Sequence, residues 1–257
     1  MPGGIVTLTT DFGLSDHYVG VMKGVILTEN PQAQIVDLCH QVEPYDVLGG
    51  ALTLEAAWPY FPEGTVHVAV VDPGVGGPRR PILALAAGSL FLAPDNGVLE
   101  LVYRRGAHRV LALSAETFAR QPISNTFHGR DVFAPAAGRL SRGQDPQRLG
   151  DPIEDYVRLD IPAPRRDGTG RLVGRVLKVD RFGNLLTNLR SADLPPGCRL
   201  ALGPTLVATR RTAYAQAPPG EVFALEGSSG YIEISMNQAS AAAATGAAAG
   251  TTVEVLD

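Results

Sequence analysis

The sequence of 257 residues is poor in cysteine, in aromatic residues and in basic charge. Its two cysteines, Cys39 and Cys198, are too few and too far apart for a CxxC metal site or a disulfide framework, so they are interpreted as buried thiols. The formal net charge is −4. This argues against nucleic acid as a main partner, because binding to phosphates requires clustered lysines and arginines.

Long hydrophobic runs and common catalytic motifs are also missing. No apolar run approaches the ~18 residues of a membrane span, and no leader pattern precedes the first predicted strand. We therefore expect no membrane partner and a cytoplasmic location. The motifs HExxH, GxSxG and Walker A do not occur, and no metal-ligand cluster is evident, so no metal site is predicted.

The composition indicates a folded chain with two regions of different character. Hydrophobic residues make up 45% and charged residues 19% of the sequence, as in globular proteins. The chain exceeds the usual size of one domain, roughly 150 residues. A Pro/Gly/Arg-rich stretch, APRRDGTG, reads as a linker at about 163–170. We therefore predict a first domain over 1–163 and a second over 170–257.

Apolar strands alternate with helices in the first domain, which predicts an α/β fold. The pattern is typical of a mostly parallel, Rossmann-like α/β/α sandwich. The expected elements are a strand at GIVTLT, a helix over Tyr18 to Glu29, a strand over Ile35 to His40, a helix over Val47 to Trp58, a strand over Val66 to Asp72, paired runs ILALAA and SLFLAP, and helical GVLELVYRR and DVFAPAAGRL.

Short alternating runs separated by Gly, Pro and Asn fill the second domain, from LVGRVLKVD to TTVEVLD. Such runs predict a small antiparallel β-barrel or sandwich. One helix is expected within it, over Asn237 to Thr245, with Gly246 as its C-cap.

Two segments offer an acid, a cation and an imidazole: VVDPGVGGPRR, which contains Asp72, and SNTFHGRDVF, which contains His128. Asp11 and Asp72 each follow an apolar strand, and ligands of α/β sheets bind beyond the carboxyl ends of strands. Structural alternatives stay open. Asp11 and Asp72 could serve in turns, Asp16 could cap the helix that starts at Tyr18, and His128 could be a buried histidine with a satisfied ring.

Seven ordered segments make the chain similar to a known family, the S-adenosylmethionine hydroxide adenosyltransferases, or SAM hydrolases, which are related to bacterial fluorinating and chlorinating enzymes. They span nearly the whole chain: TTDFGLSDHYVGVMKG, VEPYDV, FPEGTVHVAVVDPGVG, APDNGVL, NTFHGRDVFAPAA, VDRFGNLLTN and GSSGYIEIS.

The resemblance implies hydrolysis of S-adenosylmethionine by attack of water on ribose C5′, which yields adenosine and L-methionine. It implies no metal or organic cofactor, and a homotrimer in which the N-terminal domain of one subunit faces the C-terminal domain of its neighbour at each active site. The catalytic triad of the family falls on Asp72, Arg79 and His128. Because Arg80 is adjacent to Arg79, the choice between these two arginines stays open.

The resemblance also assigns residues to each part of the substrate. These residues are Asp11 and Tyr45 for the ribose, Asp16, Asp180 and Ser228 for the methionine ammonium and carboxylate, and Phe182, Asn184, Tyr214 and the backbone near Gln238 for adenine.

Three departures from the halogenating relatives favour hydrolysis. Gly129 stands where those enzymes place a serine that holds the halide. Those enzymes also carry an insertion of roughly twenty residues, for which this chain has no room. Asp72 replaces a tyrosine of the fluorinating enzymes, and a carboxylate repels an anionic nucleophile. The alternatives are a chlorinase-like halogenase and a non-catalytic sensor that binds S-adenosylmethionine or adenosine.

Overall fold

The computed structural model describes residues 4–257, which form two compact units that divide between Leu159 and Asp160. The boundary lies four residues before position 163, where the sequence predicts the first domain to end. The segment expected to be a linker holds a short strand of the second unit, β8 (Arg165–Arg166). The two units are described in turn.

The first unit is built on one seven-stranded mixed sheet in the order β2-β1-β3-β5-β4-β6-β7. Strands β2, β1, β3 and β5 are parallel, whereas β4, β6 and β7 join by antiparallel pairing. The strands are β1 (Ile5–Thr10), β2 (Gln34–Cys39), β3 (Val66–Val70), β4 (Pro81–Ala86), β5 (Ser89–Pro94), β6 (His108–Leu113) and β7 (Gly150–Ile153).

Helices cover both faces of this sheet because its strands carry apolar side chains on both sides. One core packs the strand residues Leu8 and Val68 against α1 and α4, and the other packs Ala69 and Phe91 against α2 and α3. The helices are α1 (Tyr18–Glu29), α2 (Val47–Ala57), α3 (Glu100–Tyr103) and α4 (Ala134–Ser141), and a π-helical turn, Gly129–Phe133, precedes α4.

The second unit is an antiparallel sheet in the order β12-β11-β15-β9-β10-β14-β13, with β8 paired to β9. The chain after β12 hydrogen-bonds to Ala224 of β13 through the Thr209 carbonyl and the Arg211 amide, which nearly closes a barrel. The elements are β8 (Arg165–Arg166), β9 (Leu172–Val179), β10 (Leu185–Thr187), β11 (Arg199–Leu202), β12 (Thr205–Val207), β13 (Val222–Glu226), β14 (Ile232–Met236), α5 (Ala241–Thr245) and β15 (Thr252–Leu256).

The predicted fold class, an α/β sandwich followed by a small antiparallel barrel, is confirmed, and the structure adds that half of the first sheet is antiparallel. Helix α3 covers only four residues of the predicted GVLELVYRR, and α5 is also shorter than predicted. Helix α5 begins only after Ser240, whose hydroxyl accepts a hydrogen bond from the Ala243 amide, and it ends at Gly246 in the left-handed conformation. Within residues 4–257, no helix has the length and apolar character needed to cross a membrane.

A histidine lies fully buried in the first sheet. His67 accepts or donates one hydrogen bond through Nδ1, 2.8 Å from the Thr7 hydroxyl, and its ring stacks on Phe91 with centroids 4.9 Å apart. Burial lowers the pKa of His67 from 6.5 to about 4, because the charged imidazolium would lose its hydration.

This buried imidazole makes the first unit sensitive to acid. Since the folded pKa lies below the unfolded one, the unfolded chain binds the proton first, and stability is lost as the pH falls from 6.5 towards 4. We expect His67 to account for about 2–3 kcal/mol of the free energy of unfolding that is lost between about pH 7.5 and pH 4.5. Replacing both partners, Thr7→Val with His67→Phe, should remove this part of the loss.

Urea unfolding at each pH measures this free energy of unfolding. The fluorescence of Trp58, the single tryptophan, follows the transition, because its ring packs against His67. Thr7→Val alone is the matched control, since it removes the hydroxyl and leaves the titrating ring. An acid-induced loss in the double variant as large as in the wild type would contradict the assignment.

Candidate functional site

A cluster of three side chains, the buried Asp72 and Arg79 and the half-buried His128, lies beyond the carboxyl ends of the parallel strands. Nε of Arg79 donates to both oxygens of Asp72 at 3.0 Å, and its Nη2 also donates to Oδ2. The same Nη2 lies 2.8 Å from Nδ1 of His128. The side chains of Asp72 and Arg79 are 4% and 10% exposed, so this is a desolvated ion pair with an imidazole attached.

The geometry fixes the protonation state of His128. A guanidinium N–H can only donate, so Nδ1 must accept, and the neutral ring carries its proton on Nε2. Burial and the positive charge of Arg79 lower the pKa of His128 from its ordinary value, and the carboxylates of Asp72 and Asp131 oppose this only in part. His128 therefore presents an Nε2–H donor at neutral pH.

The two neighbouring arginines have different partners. Arg80 donates to Asp95 at 3.0 and 2.7 Å and to Asp155 at 2.8 Å. Arg79 alone of the pair reaches both Asp72 and His128. The sequence left open which arginine contacts Asp72 and His128, and in the structure it is Arg79.

A glycine brings the two halves of the cluster together. Gly76 has φ +76°, and a Cβ on it would lie 2.1 Å from the carbonyl oxygen of Asn125. The loop after β3 can therefore touch the segment before His128 only because position 76 has no side chain. The acid and the imidazole are 56 residues apart in the chain and meet through this contact.

The cluster opens into a cleft of about 330 Å³ in the first unit. Its wall is aromatic, with Phe12, Tyr18 and Phe127 packed edge to face or tilted. The predicted ribose residues Asp11 and Tyr45 also line it. Oδ2 of Asp11 accepts the amide of Tyr45 at 2.9 Å, and Tyr45 has φ +69°, a strained conformation of the kind that concentrates at functional sites.

Of the substrate-binding residues predicted in the first unit, Asp16 is the one that does not line this cleft. It lies exposed in the loop before α1, with Oδ2 3.5 Å from the hydroxyl of Ser15. Nor does it cap the helix, because His17 occupies the N-cap position and no side chain accepts a capping bond there.

The second unit has a cleft of its own, about 710 Å³ in volume, that gathers the residues predicted for the C-terminal domain. They are Asp180, Phe182, Asn184, Tyr214, Ser228 and Gln238. Asp180 organises the loop: Oδ1 accepts the amides of Phe182 and Asn184 at 2.8 Å, and Oδ2 accepts Nδ2 of Asn184 at 2.8 Å. This leaves the ring of Phe182 77% exposed over the cleft.

Sequence reasoning missed Glu233, which lines the same cleft and accepts a hydrogen bond from the Tyr214 hydroxyl at 2.8 Å. Burial and the nearby charge of Asp180 raise the pKa of Glu233, and burial and Glu233 raise the pKa of Tyr214 to about 12. The alternation in GYIEIS could have revealed it, because the flanking Ile232 and Ile234 belong to the barrel core.

No group of three or more His, Cys, Asp or Glu side chains in the described part of the chain is arranged to hold a metal ion. The polar groups at the first cleft are an Arg–carboxylate pair and a neutral imidazole. Such a set can orient a polar nucleophile and can bind hydroxyl groups, and the aromatic wall can pack on a flat or apolar ligand.

Comparison with known proteins assigns both units. The model of the SAM hydroxide adenosyltransferase N-terminal domain matches residues 6–150, and that of the C-terminal domain matches residues 174–254. A protein of Thermus thermophilus named (R)-S-adenosyl-L-methionine hydrolase is 40% identical, covering 98% of this chain and 99% of that protein. A fluorinase of Nocardia brasiliensis is 29% identical, with 98% and 96% covered.

A crystal structure of an uncharacterized conserved protein from Thermotoga maritima superposes with a TM-score of 0.88 at 34% sequence identity, covering 98% of this chain and 99% of the other. The domain models together span most of the sequence in the expected order. The chain belongs to the SAM hydroxide adenosyltransferase family.

Proposed function

We propose that the protein hydrolyses S-adenosyl-L-methionine to adenosine and L-methionine. The oxygen of water forms a bond to ribose C5′, the C5′–S bond breaks with its electron pair going to sulfur, and one water proton is released. The observation that carries the proposal is the hydrogen-bonded cluster of Asp72, Arg79 and His128 at a cleft that Asp11 also lines. The likeness to the Thermus hydrolase supports it.

The cluster suits a water nucleophile. Nε2–H of His128 donates to the water oxygen, and the Asp72 carboxylate accepts a water hydrogen, so that a lone pair points at C5′. Arg79 donates to both oxygens of Asp72 and so holds the carboxylate in a fixed orientation. Full deprotonation of the water is not required, since the sulfonium leaves as a neutral thioether, and orientation supplies most of the rate.

The two clefts divide the remaining tasks. Asp11 accepts hydrogen bonds from the ribose hydroxyls with the lone pairs that the Tyr45 amide leaves open. In the second unit, Phe182 and Asn184 bind adenine with Tyr214 and the backbone near Gln238. Asp180 and Ser228 bind the amino acid end, for which Asp16 is a further candidate.

Packing around Gly129 favours water over a halide. A Cβ at this position would lie 3.1 Å from Sδ of Met22, 3.1 Å from Phe127 and 3.3 Å from Phe12. A serine like that of the halogenating relatives would therefore have to displace these neighbours. This is stronger support than the charge of Asp72, which Arg79 balances.

The assembly and setting belong to the same proposal. The enzyme is a homotrimer in which the first-unit cleft of one subunit combines with the second-unit cleft of a neighbour. It needs no metal or organic cofactor, because the sulfonium substrate brings its own leaving group. It acts in the cytoplasm, in keeping with two unpaired cysteines.

Incubation with S-adenosylmethionine, each sulfonium epimer separately, should produce adenosine and methionine in equal amounts. Asp72→Asn, Arg79→Gln and His128→Asn should lower kcat by about 10²–10⁴-fold while adenosine still binds, because these groups act on the nucleophile. Chromatography of products and calorimetry of binding measure this. Arg80→Gln is the matched control, and it should keep kcat because its partners lie outside the cluster.

If the protein binds S-adenosylmethionine but forms no adenosine, the hydrolase proposal is wrong and the protein is a non-catalytic sensor. In a parallel reaction with added chloride, accumulation of 5′-chloro-5′-deoxyadenosine would show a halogenase instead.

The pH profile should report the lowered pKa of His128. Because the active ring is neutral, kcat/KM should be flat from about pH 8 down to its usual pKa of 6.5 and fall only at more acidic pH. Initial rates at saturating and limiting substrate measure this, with recovery at neutral pH as the control for acid unfolding. An acid limb centred above 6.5 would contradict the neutral, Arg79-bonded imidazole.

Shared active sites should allow two inactive variants to complement each other. Asp72→Asn damages the first-unit cleft, and Phe182→Ala with Asn184→Ala damages the second. If each site combines two subunits of a trimer, the mixed trimers from co-expression should show about a third of wild-type activity, because one of their three sites combines two intact clefts. Tandem affinity purification isolates the mixed oligomers. No recovery in mixed oligomers would place each site within one chain.

A further inference from the structure

A buried histidine that the proposed mechanism does not use stands behind the wall of the first cleft. His40 is 4% exposed and follows directly after β2. Its Nδ1 lies 2.9 Å from the hydroxyl of Thr10, and its Nε2 lies 3.0 Å from Oδ1 of Asp37. Asp37 in turn pairs with Nζ of Lys23 at 2.6 Å.

The neighbours decide where the protons are. The Nε2–H of His40 is not well aligned with Asp37, so this is a close electrostatic contact more than a hydrogen bond. Burial raises the pKa of Asp37, but His40 and Lys23 outweigh this, so its pKa lies below the ordinary value. The carboxylate attracts a proton to Nε2, which leaves Nδ1 to accept from the Thr10 hydroxyl.

Thr10 connects the His40 ring to Phe12, a residue that lines the cleft. Its hydroxyl oxygen accepts the amide of Phe12 at 3.2 Å, while its hydrogen goes to His40. The carbonyl of His40 accepts the amide of Gly13 at 2.7 Å. His40 thus holds the chain on both sides of Asp11, whose own Oδ2 holds Tyr45.

We propose that His40 is a positioning residue for ligand binding: with Nε2–H facing Asp37 and Nδ1 facing Thr10, its imidazole fixes the loop of Asp11 and Phe12 through Thr10. The consequence is that affinity for the ribose end of the ligand depends on a side chain that touches no ligand. This rests on the proposed binding of ribose by Asp11, and it deepens that assignment.

Two substitutions at His40 separate positioning from bulk. His40→Leu removes the imidazole contacts with Thr10 and Asp37, whereas His40→Asn keeps an amide oxygen that can accept from the Thr10 hydroxyl. We expect His40→Leu to weaken adenosine binding and raise KM about 10-fold, with kcat within about 3-fold of the wild type. His40→Asn should recover most of the affinity, although both variants lose the same ring from the core.

Calorimetry of adenosine binding is the main measurement, because it needs no turnover and so stays informative if the hydrolase proposal fails. Thr10→Val, which removes only the hydroxyl, replaces His40→Leu if that variant does not fold, and it should weaken adenosine binding likewise. Glu254→Gln, which breaks the exposed ion pair with Arg171 in the second unit, is the control for a substitution away from the first cleft and should leave affinity unchanged.

Three results would overturn the inference. The first is wild-type affinity in His40→Leu and Thr10→Val, and the second is equal weakening in His40→Leu and His40→Asn. The third is a ring proton on Nδ1 of His40 in nitrogen-15 NMR spectra of the intact protein at neutral pH.

Discussion

The guanidinium of Arg79 is the interaction on which the first cleft depends. It neutralises the buried carboxylate of Asp72 and, through one N–H, sets the tautomer of His128. Removing that cation would leave a desolvated carboxylate without its charge partner, which is among the costliest changes a protein interior can suffer. The same guanidinium leaves the proton of His128 on Nε2, so that the ring presents an N–H donor to the cleft.

Backbone constraints place this cluster. The parallel strands β1 and β3 end at one edge of the sheet, which brings the loops of Asp11 and Asp72 side by side. Gly76 then lets the loop after β3 meet the segment before His128. On the other side of the cleft, His40 and Tyr45 fasten the loop after β2 to that of Asp11. The cleft is therefore a set of loops joined by hydrogen bonds and supported by a rigid sheet.

Much of this could be predicted from the chain alone. The bounds of α1, the hairpin of β4 and β5, and the barrel strands follow from hydrophobic periodicity, which local sequence records directly. The antiparallel pairing of β6 and β7 could not, because it depends on partners distant in sequence. The start of α5 is set locally, by the Ser240 cap on the Ala243 amide, a signal that sequence reasoning missed. For Asp16, an Asp before a helix suggests a cap, yet His17 occupies the N-cap position.

The sequence by itself determined the fold class, the order of the two units and the family, because ordered motifs and periodicity are local properties of the chain. Only the tertiary structure decided which arginine faces Asp72, which nitrogen of His128 carries the proton, and that Glu233 and His40 stand beside the clefts. Adjacent arginines are chemically identical in the sequence. What distinguishes them is direction in space, which long-range pairing and loop contacts set.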